Sequence, residues 1–354
     1  MEDKAQEIFE IIRDYHCDRG LGFVMSQGHI LNWVNQFDAN DREFIITELL
    51  HLLQKGIYVS RTKAKEILRD FIIKATKHYG YNDPHSFLTE SVFLDLQGEG
   101  KSQKILIGLL NEVLNEEYGF GLEICGTIME RNYIYIDDVI ATGKTFLKNM
   151  RDWLDANDGE KLKAFKKGQI NIVAYYLCKH SWAVANVKTS LKMTFSCNDF
   201  LNSKKFMIVG RYLIENNLTE FNEKLNLVYP VESNSEILIN YINSNPEASV
   251  NRNRAFRKPN QPGEENFFSS NENRQRFETI FLQKGIELIE KIPSEEKRKM
   301  HRPLGKTYPH YNTFGTGTLF FSWNNISNTC PVVLWWDVPA HNWFSLFPLF
   351  NRGN

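Results

Sequence analysis

Tyr133-Ile134-Tyr135-Ile136-Asp137-Asp138-Val139-Ile140-Ala141-Thr142-Gly143-Lys144-Thr145 is the stretch on which the reading of this chain turns. Its apolar run of aromatic and β-branched residues predicts a buried strand. Two adjacent acids follow, and then a small turn, Thr-Gly-Lys-Thr, that opens a helix with Phe146, Leu147, Met150, Trp153 and Leu154 on its apolar side. Backbone N–H groups at a helix start lack intrahelical acceptors and carry partial positive charge, which favours a phosphate. Gly143 lets the main chain approach closely, and Thr142 and Thr145 carry hydroxyl donors. Asp137 and Asp138, acceptor-only when ionised, suit a pair of hydroxyl groups. One loop therefore offers a phosphate cradle and, a sugar's length away, acceptors for a diol.

The neighbouring segments repeat the arrangement. Residues 91–95 predict a strand, followed by the turn Gln97-Gly98-Glu99-Gly100-Lys101-Ser102 and a helix with Ile105, Leu106, Leu109, Leu110, Val113 and Leu114 on its apolar side. A short strand is expected at 123–128 and a longer one at 170–177. Strand, turn and helix in alternation predict an α/β fold with a mostly parallel sheet and flanking helices. The turns then gather at one sheet edge, where ligands of such folds bind. Residues 318–323 and 331–336 are expected to be two late strands returning to the sheet.

Ahead of this pattern lies an N-terminal helical region, residues 1–80. Ile8, Ile11, Ile12 and Tyr15 keep helical spacing. Ile30, Leu31, Trp33, Val34 and Phe37 predict a second helix, residues 41–54 a third closed by Lys55-Gly56, and Ser60 caps a fourth. No strongly basic helix stands out, so a helical layer is preferred over a DNA-reading helix-turn-helix. Residues 81–354 are expected to form the α/β domain, with a polar insertion near 245–275. That insertion contains the basic stretch Asn251-Arg252-Asn253-Arg254-Ala255-Phe256-Arg257-Lys258, read as a solvated excursion or, alternatively, a polyanion contact.

Composition bounds the partners. The chain has 354 residues, 42% hydrophobic and 24% charged, with 42 Lys plus Arg against 43 Asp plus Glu. A net charge of −1 removes the whole-chain argument for nucleic-acid binding. Five scattered cysteines with no Cys-x-x-Cys pair fit reduced thiols and no metal cluster. The charged start Met-Glu-Asp-Lys lacks an apolar run and no stretch reaches the ~20 residues that span a bilayer, so a cytoplasmic protein without membrane contact is expected.

A nucleotide-triphosphate P-loop competes for Gly143-Lys144-Thr145 and for Gly100-Lys101-Ser102. That pattern needs a glycine five residues before its second glycine. Asp138 and Asp95 stand there instead, placing negative charge where triphosphate would wrap.

The 133–145 segment resembles the fingerprint of type I phosphoribosyltransferases: apolar strand, two acids, apolar residues, then Thr-Gly-x-Thr. The resemblance implies a loop for 5-phosphoribosyl-1-pyrophosphate (PRPP). Asp137 and Asp138 would contact the ribose hydroxyls and act as the catalytic acids, and Ala141, Thr142, Gly143, Lys144 and Thr145 would hold the 5-phosphate. Gln97, Gly98, Gly100, Lys101 and Ser102 match the family's pyrophosphate turn, a reading preferred over its alternative, an ordinary helix start capped by Ser102. Mg²⁺ accompanying PRPP is implied, with no metal ligand assigned directly. The family's mobile loop before the PRPP strand finds little room in residues 103–132, and no base-binding hood is evident. Two functions follow: transfer of a phosphoribosyl group at ribose C1, or a non-catalytic nucleotide sensor or regulatory subunit.

More of the chain is similar to phosphoribosyltransferase-like proteins of bacterial conflict and anti-phage systems, including retron-associated effectors. The features are residues 30–37 with Asp41-Arg42, the two central turns, and Asn324 to Pro331 running into Leu334-Trp335-Trp336, with Pro348-Leu349-Phe350 beyond. A defence role, with a defence-system protein or nucleic acid as partner, is implied by that likeness. Among other residues, His180 ends a strand and is read as a capping or surface group. His16-Cys17 is discounted as a nucleophile pair because adjacent helical residues point about 100° apart. The tryptophans are read as core.

Overall fold

The apolar run ahead of the paired acids forms the strand Asn132–Ile140. It is the second in a four-stranded sheet ordered Ser91–Phe93, Asn132–Ile140, Asn171–His180, Phe206–Ile214. The first three strands run parallel, with Phe93 opposite Ile134, Asp137 opposite Tyr176 and Ile140 opposite Lys179. The computed structural model describes residues 1–18, 22–202, 204–217, 224–244, 252–307 and 313–349. They fall into two compact units, one of Met1–Ser60 with Ile214–Phe350, the other built on Arg61–Leu213.

The sheet and its helices make up the second unit. Strand alternation sends Tyr133 and Tyr135, with Ile172, Ala174 and Tyr176 of the neighbouring strand, to one face. They pack there with Phe146, Leu147, Met150 and Leu154 of the helix Lys144–Lys166 and with Ala183, Val187 and Leu191 of the helix Ser181–Phe195. The intervening residues Ile134, Ile136 and Val173 are buried as well. Tyr175 stacks on Phe71 of the helix Arg61–His78 at 4.2 Å between ring centroids. Burial on both faces is what a parallel sheet requires, and it explains the nearly unbroken apolar run in the sequence. The architecture is thus α/β, a mostly parallel sheet with flanking helices.

The N-terminal helices form as their spacing predicts: Glu2–Ile12, Gln27–Val34, Ala39–Leu52 and Arg61–His78. Ser26 caps the second by accepting from His29 N at 3.1 Å. Gly56 takes the left-handed conformation (φ 85°) expected after Lys55. The first three helices belong to the first unit, together with Asn271–Glu290 and several short elements. Tryptophan packs this unit. Trp33 and Trp343 both donate their indole N–H to the Val333 carbonyl, at 2.9 and 3.1 Å, and Phe37 lies edge-on to both rings.

Two sequence expectations are corrected. Residues 123–128 make no strand; a short helical turn, Leu122–Ile124, is followed by Gly126 at φ 72°, which breaks extension. The late strands do not return to the sheet. Gly317–Thr318 pairs antiparallel with Leu227–Val228, and Phe321–Ser322 pairs parallel with Tyr58–Val59, each over two residues. Val332–Trp335 is a short helix. Pro331 immediately before it has no N–H to give a sheet ladder, and an apolar run so short has no periodicity to separate helix from strand.

The basic stretch is also less exposed than it reads. Asn251 and the side chains of Arg252 and Asn253 lie outside the described residues. Arg257 is buried, with Nε and Nη2 donating to Glu278 Oε2 at 3.1 and 2.9 Å. Arg274 joins that ion pair from one turn earlier on the Glu278 helix. No helix among the described residues is long and apolar enough to cross a membrane.

Phe165, fully buried, stacks on Phe200 at 4.8 Å and meets Phe206 edge-on at 6.4 Å. Phe165→Ala should cost about 3–5 kcal/mol of stability, read as a lower denaturation midpoint in urea.

Candidate functional site

The register of the sheet brings the first turn beside the acids. Phe93 lies opposite Ile134, so continuing the pairing carries 96 and 97 level with 137 and 138. The first turn then opens the helix Ser102–Tyr118, with Lys101 at its cap position. Ser102 does not cap it. Its hydroxyl donates to Asp137 Oδ1 at 2.6 Å, and Gln97 Nε2 donates to Asp137 Oδ2 at 2.7 Å. The residues expected at the pyrophosphate turn and the first acid are therefore in direct contact.

Asp137 is enclosed. Beyond these two donors, Oδ1 accepts from Asp138 N at 2.9 Å, and the Tyr135 hydroxyl approaches Oδ2 at 3.4 Å. Only 8% of the residue is exposed. Burial pushes its carboxyl up to about 7, and the adjacent Asp138 acts in the same direction, while the Ser102, Asp138 N and Gln97 donors oppose them. Asp138 is only partly buried, and its Oδ1 accepts from Val139 N at 2.6 Å. The acids are neighbours in an extended strand, so their side chains project to opposite faces.

The second turn has the expected form. Gly143 stands at the cap position with φ 75° and ψ 1°, and Lys144 begins the helix. Lys144 N points at Thr142 Oγ1 at 3.4 Å, while Lys144 and Thr145 are exposed in the first helical turn. The close approach demanded of Gly143 is real: a Cβ there would lie 2.4 Å from Val187 Cγ2. Ala141 and Thr142 are partly exposed. In the first turn Gly98 and Gly100 are exposed, whereas Gln97, Lys101 and Ser102 are partly buried. Lys104, in the first turn of the helix that follows, already pairs with Asp95 and Glu99.

Two contributors escaped the sequence reading. Gln103, fully buried, accepts from Leu96 N at 2.8 Å and Gln97 N at 3.0 Å, fixing the entry to the first turn. Its Nε2 has no hydrogen-bond partner among the described residues. Tyr135 accepts from Gln97 Nε2 at 2.6 Å and from Asn149 Nδ2 at 3.4 Å. A glutamine at an apolar helix position and a tyrosine two residues before the acid were the available signals. His180 is neither surface nor side-chain cap: it is buried at the end of its strand, where burial pushes its pKa down to about 3 and keeps the ring neutral. His16 is buried and Cys17 exposed. Trp336 is core, with Nε1 donating to His341 Nδ1 at 3.1 Å, and Trp335 Nε1 donates to the Cys330 carbonyl at 2.8 Å.

The arrangement is a sheet edge with two helix-start turns, one exposed enough to receive an anion at 142–145, the other braced from below by a carboxylate. Among the described residues no group of three or more His, Cys, Asp or Glu is placed to hold a metal ion.

Two outcomes test this geometry. Gly143→Ala should cost about 1–3 kcal/mol through left-handed strain and the Val187 contact, and Val187→Ala should recover the steric part when both are denatured side by side. The second concerns pH. Asp137 keeps its proton to about pH 7 in the folded chain but ionises near 4 when unfolded, so its contribution to stability falls as pH rises through that window. The Tm of Asp137→Asn minus that of wild type should therefore climb between about pH 4 and 7 and level off above it.

Compared with known proteins, the chain is matched by a family model described as PRTase-CE over residues 30–349, a stretch that includes both turns and both acids. Searches of curated proteins and of solved structures found no match.

Proposed function

This chain belongs to the PRTase-CE family of phosphoribosyltransferase-like proteins, and from that premise we propose that the sheet edge binds PRPP or a ribose-phosphate nucleotide and transfers its phosphoribosyl group. The observation that carries the reading is the hold of Asp137 on both ends of the 97–102 turn, from the same strand that leads into the helix start at 142–145.

The 5-phosphate sits on the helix start, where the N–H groups of the first helical residues have no intrahelical acceptor and Thr142 and Thr145 add hydroxyls. The partly exposed acid at the strand end, Asp138, faces the ribose hydroxyls. The pyrophosphate lies along Gly98, Gly100 and Lys101. In the reaction the bond from C1 to the pyrophosphate oxygen breaks as the acceptor's nucleophile bonds to C1. Backbone N–H groups and the Lys101 ammonium stabilise the charge that collects on the departing group. Holding both ends of the donor fixes C1 in place, so positioning and electrostatics carry the rate.

Magnesium fits this site only in company with the donor. A cation of this kind takes one or two carboxylates and draws its other oxygens from phosphate and water. Asp138 is the available carboxylate, since the oxygens of Asp137 are already engaged. When bound, the ion would neutralise pyrophosphate charge.

A second reading, a nucleotide-sensing subunit without turnover, is favoured by one observation. The segment ahead of the PRPP strand, where the family's mobile loop belongs, is tied down: the N–H groups of Gly126, Ile128 and Arg131 donate to the carbonyls of Leu88, Thr89 and Glu90 at 3.0–3.1 Å. In either reading the chain serves an anti-phage defence system, as its likeness to conflict-associated proteins suggests.

Calorimetry with PRPP and Mg²⁺, followed by an assay for pyrophosphate release over a panel of bases, separates these readings. Binding with release supports transfer, binding alone supports sensing, and no binding defeats both. Lys101→Ala should weaken PRPP several-fold while leaving AMP, which lacks the pyrophosphate, within about twofold.

A further inference from the structure

The paired acids read from sequence as one unit, but the structure gives them different surroundings. Asp137 accepts hydrogen bonds from Ser102 and Gln97 of the first turn and from Asp138 N, with the Tyr135 hydroxyl close by. All four donors belong to the protein, and the residue is nearly closed to solvent. A ribose hydroxyl could enter only by displacing one of them. Asp138 has a different outlook: it is partly exposed, its one described side-chain contact is the N–H of the next residue, and strand alternation turns it away from Asp137. Each acid therefore has one chemically suitable task.

We infer that the two acids divide the labour, with Asp138 taking the ribose hydroxyls and Asp137 acting as a positioning residue that anchors the 97–102 turn and so sets affinity for the pyrophosphate end of the donor. The inference rests on the ribose-phosphate reading above and refines it. Ser102 and Gln97 lie at the two ends of the turn, so the Asp137 carboxylate clamps it at both ends while Gly98 and Gly100 stay open between them. Gln103 adds a second clamp by holding Leu96 N and Gln97 N. A flexible glycine-rich turn fixed at both ends loses less freedom when it wraps an anion, which is how a residue that touches no ligand raises affinity for one.

The test uses three probes on the intact protein, AMP, 2′,3′-dideoxy-AMP and PRPP with Mg²⁺, together with amide hydrogen exchange at 98–101 in ligand-free protein. Wild type should prefer AMP over the dideoxy analogue by about tenfold or more, the worth of a hydrogen bond to a charged acceptor. Asp138→Asn should shrink that preference to about threefold or less. Asp137→Asn and Ser102→Ala should keep it, weaken PRPP relative to AMP, and speed exchange at 98–101. Their effects on PRPP should not add in the double variant, because both break one link. Ser102→Ala leaves the buried carboxyl in place, so the arm stands even if Asp137→Asn folds poorly. Loss of the hydroxyl preference in folded Asp137→Asn would overturn the division, as would an equal fall of AMP and PRPP. Unchanged exchange in both variants would overturn the anchoring role without reference to any ligand. Failure of wild type to bind any probe would instead remove the ribose-phosphate reading, and the role of Asp138 with it.

Discussion

A carboxylate held almost out of water, at Asp137, ties the site together. Four donors from three places in the chain converge on it: the turn after the first strand, Tyr135 two residues earlier in its own strand, and the backbone of its neighbour. Burying a carboxyl costs free energy unless hydrogen bonds replace its water, and here they come from the segments that have to be brought into register. Burial makes the carboxyl resist ionisation in spite of these donors, and its cost to stability near neutral pH is the counterpart of the order it imposes on the 97–102 turn. The Gln103 amide serves the same turn from the other side, linking an apolar helix to the backbone of a glycine-rich segment.

The surrounding unit is arranged so that this convergence is geometric. Parallel strands end at one edge, and short offsets between neighbours decide which turn meets which strand tip. Packing of Tyr135 against Phe146, edge-on at 4.9 Å, seats the second helix on the strand it follows. Val187, from a later helix, closes on Gly143 so tightly that no side chain fits. The 142–145 turn is thereby shaped by a residue more than forty positions away. The first unit is governed by a different chemistry, with indole N–H groups satisfied by one carbonyl and a buried set of arginines and glutamates.

The strands and helices around the acids were legible because their signals are local. Helical spacing of apolar residues, a glycine after Lys55 and an apolar run leading into Asp137 each act within a few residues. The late segments were not, since 317–323 forms only two-residue pairings whose partners lie far off in the chain, and Val332 to Trp335 is apolar without a period. Nothing local marks Arg257 for burial either; its partner Glu278 arrives from a helix 21 residues on.

By itself, then, the sequence determined the α/β alternation, the strand that carries both acids and the helix-start turns that follow the strands, because backbone propensity and hydrophobic period act over short distances. The tertiary structure alone decided that Asp137 faces inward to Ser102 and Gln97 while Asp138 does not, that His180 is buried, and that Val187 presses on Gly143. Those outcomes depend on register between strands and on packing between helices, and such contacts have no counterpart in the order of residues along one segment.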